Sequence, residues 1–467
     1  MKRQPMPLLV PSRRPVQRLC GGLRSVFEEV KIMILEDYIQ SLQESGKLTV
    51  IKKEVSKELE IAGVLKALEP NPALFERVKG QEFRVAGNLF CTKKQIADYF
   101  GIRPEEIIPI LTNAIEERSE PEQVESAPCQ EVVRDTVNLD DIPILLHNKV
   151  DGGPYISSGV VVSSDPEFGQ NLDFHRAMQI GKDKMVARVV RGRDFYKFLE
   201  RQGEVDVAFC IGNTPEVLIA AATSVETGIN ELEIANALRP IRVTKAKTVD
   251  LLIPADSEFV LEGTIILEEK HDEGPFIDLT ETVDVVRQEP VFHVKKITHR
   301  KTAIWQGLLP GRAEHKILMG MPREPTVYKK VKDRGIDVID VNITPGGASW
   351  LHVAVKIHKK NEDDGLKALE AAFAGHRSAK HIWVYDDDID IYSDEEREWA
   401  MATRFQADVD LLIKDKEPGS SLDPSAEPGT KMTTKCGFDC TKVLETKGKS
   451  FDKARFPEVD LKKYLGE

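Results

Sequence analysis

Between about Val132 and Leu309 the chain strings β-like runs together with little helical pattern between them, and nothing else limits its fold as strongly. YISSGVVVSS, FHRAMQI, KMVARVV, VDVAFCIG, IRVTKAKTVDLLIPA, FVLEGTIILEEK and VFHVKKITHRKTAIWQGLL are rich in β-branched and aromatic residues, as strands are. Gly181-Lys182-Asp183 reads as a hairpin turn between the second and third runs. One helical interruption has a clear start, with Thr214 as N-cap and Pro215 at the first helical position. So many strands around a short helical insert must bury their apolar faces on one another, which predicts a barrel or a strongly bent sheet.

On both sides of this zone helices and strands alternate. LEDYIQSLQESG, closing on Gly46, and ELEIAGVLKALE read as helices around the strand KLTVIKKEV; ALFERV and EFRVAGNLFC follow as β-like runs. Thr92-Lys93-Lys94-Gln95 is a capping box opening a helix that ends near Gly101. The polar, proline-containing ERSEPEQVESAPCQE reads as a linker. After Lys316, DGLKALEAAFAGH and DEEREWAMATRF are helical, and HIWVYDDD and VDLLIK are strands. The expected organisation is an extension over 1–32, an α/β domain over 33–120, a β-rich domain over 130–312, a second α/β domain over 316–442 and a tail or helix over 443–467. A chain of 467 residues is long enough for several cores.

The net charge of −12 excludes general binding to nucleic-acid backbones, which needs a basic footprint. No apolar run approaches the ~20 residues of a membrane span. Cys20, Cys91, Cys129, Cys210, Cys436 and Cys440 are few and scattered, as in a reduced cytoplasmic chain, and the last two are taken as structural. The first 27 residues carry Lys2, Arg3, Arg13, Arg14, Arg18 and Arg24 and no acid. That pattern suits a transit peptide, but a disordered extension is favoured, because Met33 opens a good amphipathic helix.

Three places carry candidate chemistry. In NLDFHRAMQIGKDKMVARVVRGRD, alternation puts Phe174 and Arg176 on one strand face, with Arg188 and Val190 across the hairpin and Arg193 beyond. Arginines converging in a β-rich domain call for an anion, although exposed edge-strand arginines explain them equally well. Asn171 has the opposite parity to Arg176 and reaches the same ligand only from a strand end or bulge. Asn230 caps a helix with Glu231 in its first turn; complementing the helix dipole is the simple account, and a hard-cation ligand shared with Asn171 the functional one. In HDEGPFIDLTET, Glu273 and Asp278 flank a Gly-Pro turn. Alone such a turn faces solvent; strands on both sides anchor it at a barrel mouth, where a carboxyl near an arginine can be tuned for proton delivery. A Pro-Gly-Gly loop in VNITPGGASW, a lone His315 and the acids Asp386, Asp387, Asp388 and Asp390 are weaker signals.

The order Asn171…Phe174-His175-Arg176, Arg188, Glu231, EFVLEGTI, EGPFID, ITHR, GLLPGRAEHKILMG, TPGG, DDDIDI…EREWAMATRFQAD and SSLDPSAEPGTKMTTKCGFD resembles the UbiD-type decarboxylases from Met33 to Lys442. The resemblance implies a central split β-barrel between two α/β domains, and reversible, non-oxidative decarboxylation with prenylated FMN. It implies cofactor contacts at Phe174, His175, Arg176, Arg188, Val189, Val190, Arg193 and Asp194. Asn171 and Glu231 become ligands of a divalent ion, usually manganese, with potassium a further candidate; Arg193 stands where some members place a ligand histidine. Arg176, Glu273 and Asp278 match the family's acid–arginine–acid constellation, with aspartate at the last position where many relatives have glutamate. Removing CO2 from an sp2 carbon needs an electron sink no side chain supplies. Arg176 then orients the substrate carboxylate, Asp278 protonates the new carbon and Glu273 holds Arg176. DGGPYISSGVVVSSDPEFGQN, DLTETVDVVRQEP and SSLDPSAEPGT look most like archaeal members acting on trans-anhydromevalonate 5-phosphate to give isopentenyl phosphate. The runner-up substrate is a 4-hydroxybenzoate-type aromatic acid. Rival classes are a non-catalytic flavin-binding protein and a hydrolase built on Asp386–Asp390. Expected partners are a prenyl-FMN synthase supplying the cofactor and further copies of the chain.

Overall fold

The computed structural model describes residues 32–445, 448, 450–454 and 456–465. The N-terminal extension lies outside these residues apart from Ile32, as does Cys20. In the helix Leu35–Glu44, Leu35, Tyr38, Ile39 and Leu42 recur at helical spacing and all are buried. Beside it lies a four-stranded sheet in the order Thr49–Ile51, Ala73–Phe75, Arg84–Gly87 and Ile304–Gln306. The last strand comes from far down the chain and pairs parallel, Ile304 with Arg84. The capping box forms: Gln95 N–H donates to Thr92 Oγ1 at 3.1 Å, and Thr92 N–H to Gln95 Oε1 at 2.9 Å. Gly101 ends that helix at φ 71°, the left-handed conformation glycine adopts without strain.

The expected linker is instead built into the structure. Glu122–Gln123 pairs with Arg242–Val243, and Cys129 is buried. Its polar side chains concealed the pairing because the backbone makes the ladder.

The strand-rich zone forms a long antiparallel path: Tyr155–Ile156, Ala177–Gln179, Lys184–Ala187, Arg287–His299, Phe259–Glu273, Glu204–Ile211, Val160–Asp165 and Gly169–Phe174. Val132–Arg134 pairs with the 287–299 strand off this path. The two longest strands pair from Phe259↔His299 to Glu273↔Arg287 with register shifts at Glu262/Gly263 and Ile266/Lys270. A side chain at residue 263 would stand 1.9 Å from the His293 carbonyl, so only glycine fits the first irregularity. The strands 169–174 and 177–179 lie near opposite ends of the path, yet only His175 and Arg176 separate them in sequence. The sheet therefore curls until its ends approach. No ladder of hydrogen bonds closes it among the described residues, so the fold is mixed α/β with a curled central sheet.

Three helices interrupt this zone; the starts at Thr214 and Asn230 are marked in the sequence and that of the first helix is not. The three are Asp194–Gln202, Pro215–Ala222 and Glu231–Leu238. Thr214 stands at the N-cap position, but its hydroxyl donates to Glu216 at 2.6 Å and does not cap the backbone. The C-terminal sheet runs Val338–Ile343, His352–Ile357, His381–Asp386, Met432–Cys440, Leu411–Pro418. Among the described residues no helix is long and apolar enough to cross a membrane.

Candidate active site

Arg176 sits at the seam of the curled sheet, just past the strand 169–174, not on its face as alternation suggested. The strand 259–273 runs to Glu273, and a short hairpin of Phe276–Ile277 against Val283–Asp284 follows. These elements surround one guanidinium with three carboxylates. Arg176 Nε donates to Glu273 Oε1 at 2.8 Å and Nη2 to Oε2 at 3.0 Å. Nη1 donates to Asp278 Oδ2 at 2.8 Å, and Nη2 to Asp284 Oδ2 at 3.1 Å. Below it lies the Phe276 ring, 4.3 Å from the guanidinium carbon. Tyr155 OH donates to Glu273 Oε1 at 3.0 Å. Glu273 is fully buried, while Asp278 keeps 20% of its side chain exposed.

Burial opposes the charge of Arg176, but Glu273 first, then Asp278 and Asp284, outweigh it and hold its proton more tightly than usual. Burial also works against the Asp284 carboxylate; Arg287 and Arg176 reverse this and lower its pKa. Burial, reinforced by Glu273, pushes the Tyr155 phenol up. His315, read as uninformative in the sequence, is electrostatically linked to Asp278; burial lowers its pKa, and Gly311 N–H donates to its Nδ1 at 3.0 Å. With Arg287 counted, three carboxylates face two guanidiniums, an arrangement in which one proton can be stored and passed on.

Asn171 and Glu231 meet at a second centre. Glu231 is the first residue of its helix, and Asn230 Oδ1 accepts the Leu232 N–H at 3.1 Å, so the dipole reading and proximity to Asn171 both hold. Glu231 Oε2 accepts the N–H of Leu172, next to Asn171, at 2.8 Å. Burial pushes its pKa up to about 8, and the charges of Asp173 and Asp194 add to this. Asn171 is buried with its Nδ2 unpartnered. His175 Nδ1 lies 2.9 Å from the Arg188 carbonyl and its Nε2 2.9 Å from Asp173. Such a crowd of carboxylate and amide oxygens suits a hard divalent cation. Among the described residues no group of three or more His, Cys, Asp and Glu side chains is placed to hold an ion.

The arginines do not converge on one point. Arg188 Nη1 pairs with Glu289 at 2.5 Å, and the N–H of Val189 reaches the same carboxylate at 3.3 Å. Val190 is exposed and Phe174 half-buried. Arg193 caps the helix that Asp194 opens; Asp194 accepts from Lys197 at 2.7 Å and from Thr227 at 2.8 Å. Arg193 stands near Arg323, whose pKa burial first, then Arg193, lowers to about 10. Neither has a carboxylate within salt-bridge reach among the described residues, and Arg323 Nε has no partner, so the pair suits a bound phosphate. Sequence reasoning missed Arg323, Tyr155 and Asp284. Tyr155 and Asp284 lie inside DGGPYISSGVVVSSDPEFGQN and DLTETVDVVRQEP but nothing local marks them, and Arg323 has no motif around it. The acids near Asp386 form an ion network: Arg404 bonds Asp386 at 2.8 Å and Asp388 at 2.8 and 3.0 Å, which leaves the hydrolase reading without a site.

Known proteins match most of the chain. Residues 39–115, 122–313 and 316–440 match the N-terminal, Rift-related and C-terminal domains of 3-octaprenyl-4-hydroxybenzoate carboxy-lyase. The anhydromevalonate phosphate decarboxylase of Methanosarcina mazei is 41% identical over 91% of this chain and 100% of its own. That of Methanocaldococcus jannaschii is 37% identical over 88% and 97%. Among solved structures, the UbiD-class enzyme HmfF from Pelotomaculum thermopropionicum in complex with FMN superposes with a TM-score of 0.89 at 32% identity, covering 93% of this chain and 100% of that one. Matches to three successive domains, and to relatives over nearly full length, leave one assignment: the chain belongs to the UbiD family of carboxy-lyases.

Proposed function

We propose that this enzyme removes CO2 from trans-anhydromevalonate 5-phosphate to give isopentenyl phosphate, using prenylated FMN. The carrying observation is the single arginine held among three carboxylates, with Asp278 more exposed than Glu273. The choice of substrate is supported by relatives 37–41% identical to the chain that are anhydromevalonate phosphate decarboxylases. The aromatic reading draws on more distant likeness, such as the 3,4-dihydroxybenzoic acid decarboxylase of Enterobacter cloacae at 25%.

When bound, the prenylated flavin supplies the electron sink that decarboxylation at an sp2 carbon requires. Phe174, His175, Arg188, Val189, Val190, Arg193 and Asp194 would line its site, with Arg193 and Arg323 facing its phosphate. Asn171 and Glu231 would hold a manganese ion there, and potassium is a second candidate ion. Arg176 Nη1 gives one of its two N–H groups to Asp278 and turns the other to the substrate carboxylate, a charge-assisted contact that fixes the leaving group. Glu273, gripping Nε and Nη2, keeps the guanidinium plane fixed while this happens. Asp278 then delivers a proton to the carbon that lost CO2. The curled sheet is the split-barrel core of a domain over 130–312, between α/β domains over 33–120 and 316–442. The enzyme works in the cytoplasm as a homo-oligomer and takes its cofactor from a prenyl-FMN synthase.

The test is to co-express the chain with such a synthase and offer anhydromevalonate phosphate beside 4-hydroxybenzoate, following CO2 release. Turnover of the first alone is expected. Consumption of 4-hydroxybenzoate alone would sink the proposal.

A further inference from the structure

A cavity of about 470 Å³ opens between the helix Glu60–Leu68, the loop 147–151 and the loop 309–312. It borders the catalytic cluster in two places. Ile277 lines it, next in the chain to Asp278, and so does Asp151, whose carboxyl lies close enough to feel the charge of Arg176. Lys66, Lys149 and Arg312 on its wall outnumber the carboxylates of Asp151 and Glu281. Arg312 is held by Glu69 at 2.6 Å and by Glu281 at 2.7 Å. Lys66 and Lys149, also on the wall, have no carboxylate partner among the described residues.

Two buried atoms on this wall have no hydrogen-bond partner, His147 Nδ1 and Asp151 Oδ1. His147 is 8% exposed, and burial lowers its pKa to about 3. Its Nε2 lies 3.3 Å from the Ser157 hydroxyl, which itself donates to the Leu308 carbonyl at 2.6 Å. The hydroxyl proton is thus committed, so Nε2 must carry the ring N–H, and Nδ1 is a bare lone pair with no partner. The two exposed, unpaired ammonium groups are able to bind an anion, and the two buried acceptors call for a hydrogen-bond donor. The monoanion of a phosphate monoester, which prevails below its second pKa of about 6, meets both demands with its negative oxygens and one P–OH.

We propose that this cavity is the subsite for the phosphate group of the substrate, with Lys66 and Lys149 binding its oxygens and His147 accepting its hydroxyl. The inference rests on the functional reading above. It adds where selectivity for a phosphorylated acid is built. A second cavity, about 390 Å³, lies on the other side of Asp278 and offers Arg287 and Lys431. There Arg287 is already paired with Asp284, and Asp423 and Glu427 line the wall, which disfavours an anion.

The test is calorimetric titration of the full chain with isopentenyl phosphate and with isopentenol, the same chain without the phosphate. The wild type should prefer the phosphate ester. Lys66→Ala and Lys149→Ala should each weaken its binding about tenfold, the low end for charged hydrogen bonds at exposed positions, and leave the alcohol unchanged. Unchanged affinity in both variants, or a loss confined to Lys431→Ala, overturns the subsite. A wild type that binds alcohol and phosphate ester equally well overturns the functional reading, and the subsite with it.

Discussion

Replacing Glu273 by glutamine changes one atom of the cluster and almost nothing of its volume. Glu273 Oε1 accepts two donors, Arg176 Nε at 2.8 Å and Tyr155 OH at 3.0 Å, so the amide oxygen of Gln will occupy that position. The amide nitrogen then takes the place of Oε2, where it meets Arg176 Nη2 at 3.0 Å, donor against donor. One charge-assisted bond is lost, worth about 1.5–3 kcal/mol, and an unmatched donor is left in a fully buried site at a cost of about 1–3 kcal/mol. If about 3 kcal/mol of this falls on the positioning of Arg176, kcat/KM drops roughly 150-fold. The surplus carboxylate that allows proton storage disappears too, so the loss should sit in kcat and not in KM. The assay is steady-state CO2 release by cofactor-loaded enzyme, with the bound flavin spectrum confirming equal loading. A variant within threefold of wild type, equally loaded, would show that the grip of Glu273 on Arg176 has no part in the reaction.

Three further outcomes follow from buried charge. Burial raises the Glu314 carboxyl to about 7 from an ordinary value of 4.5. Between those pH values the unfolded chain loses its proton first, so stability falls as pH rises from 4.5 to 7, by up to about 3 kcal/mol, and the deficit then stays constant. Glu314→Gln should therefore raise the urea midpoint at pH 8 more than at pH 5; an equal difference at both would contradict the assignment. Arg404, with no side-chain exposure and bonds to Asp386 and Asp388, should cost about 3–5 kcal/mol as Arg404→Leu, read from the urea midpoint of the C-terminal sheet. Manganese should raise the melting temperature of the wild type and leave that of Glu231→Gln unchanged, measured by scanning calorimetry on flavin-loaded protein.

The cluster around Arg176 was legible where local sequence carries geometry. The acids either side of Gly274-Pro275 and the arginine after a strand were named from the residues, and Glu231 was placed in the first turn of a capped helix. Tyr155 and Asp284 were not legible, because each reaches its partner across more than one hundred residues of sequence or through a hairpin of two-residue strands. The helix Asp194–Gln202 did carry a signal, Phe195, Phe198 and Leu199 at helical spacing, within a zone dominated by strand propensity. Of the two readings of the arginines, convergence on one anion and exposed edge positions, neither describes Arg176 and Arg188. Each buried guanidinium needs its own counter-charge, and Glu289 supplies one to Arg188 as the triad of acids does to Arg176.

The strand Ile304–Gln306 gives the N-terminal sheet its outer edge from roughly two hundred residues beyond its neighbour. During synthesis, the sheet begun at Thr49 must wait with an open parallel edge until residue 306 has left the ribosome. A ladder closed over so long a loop is a late and slow event. Until then Val85 and Ala86, fully buried in the finished protein, lie along an unpaired backbone. Chains released before that point should aggregate through this edge, so the first domain to be made is among the last to be finished.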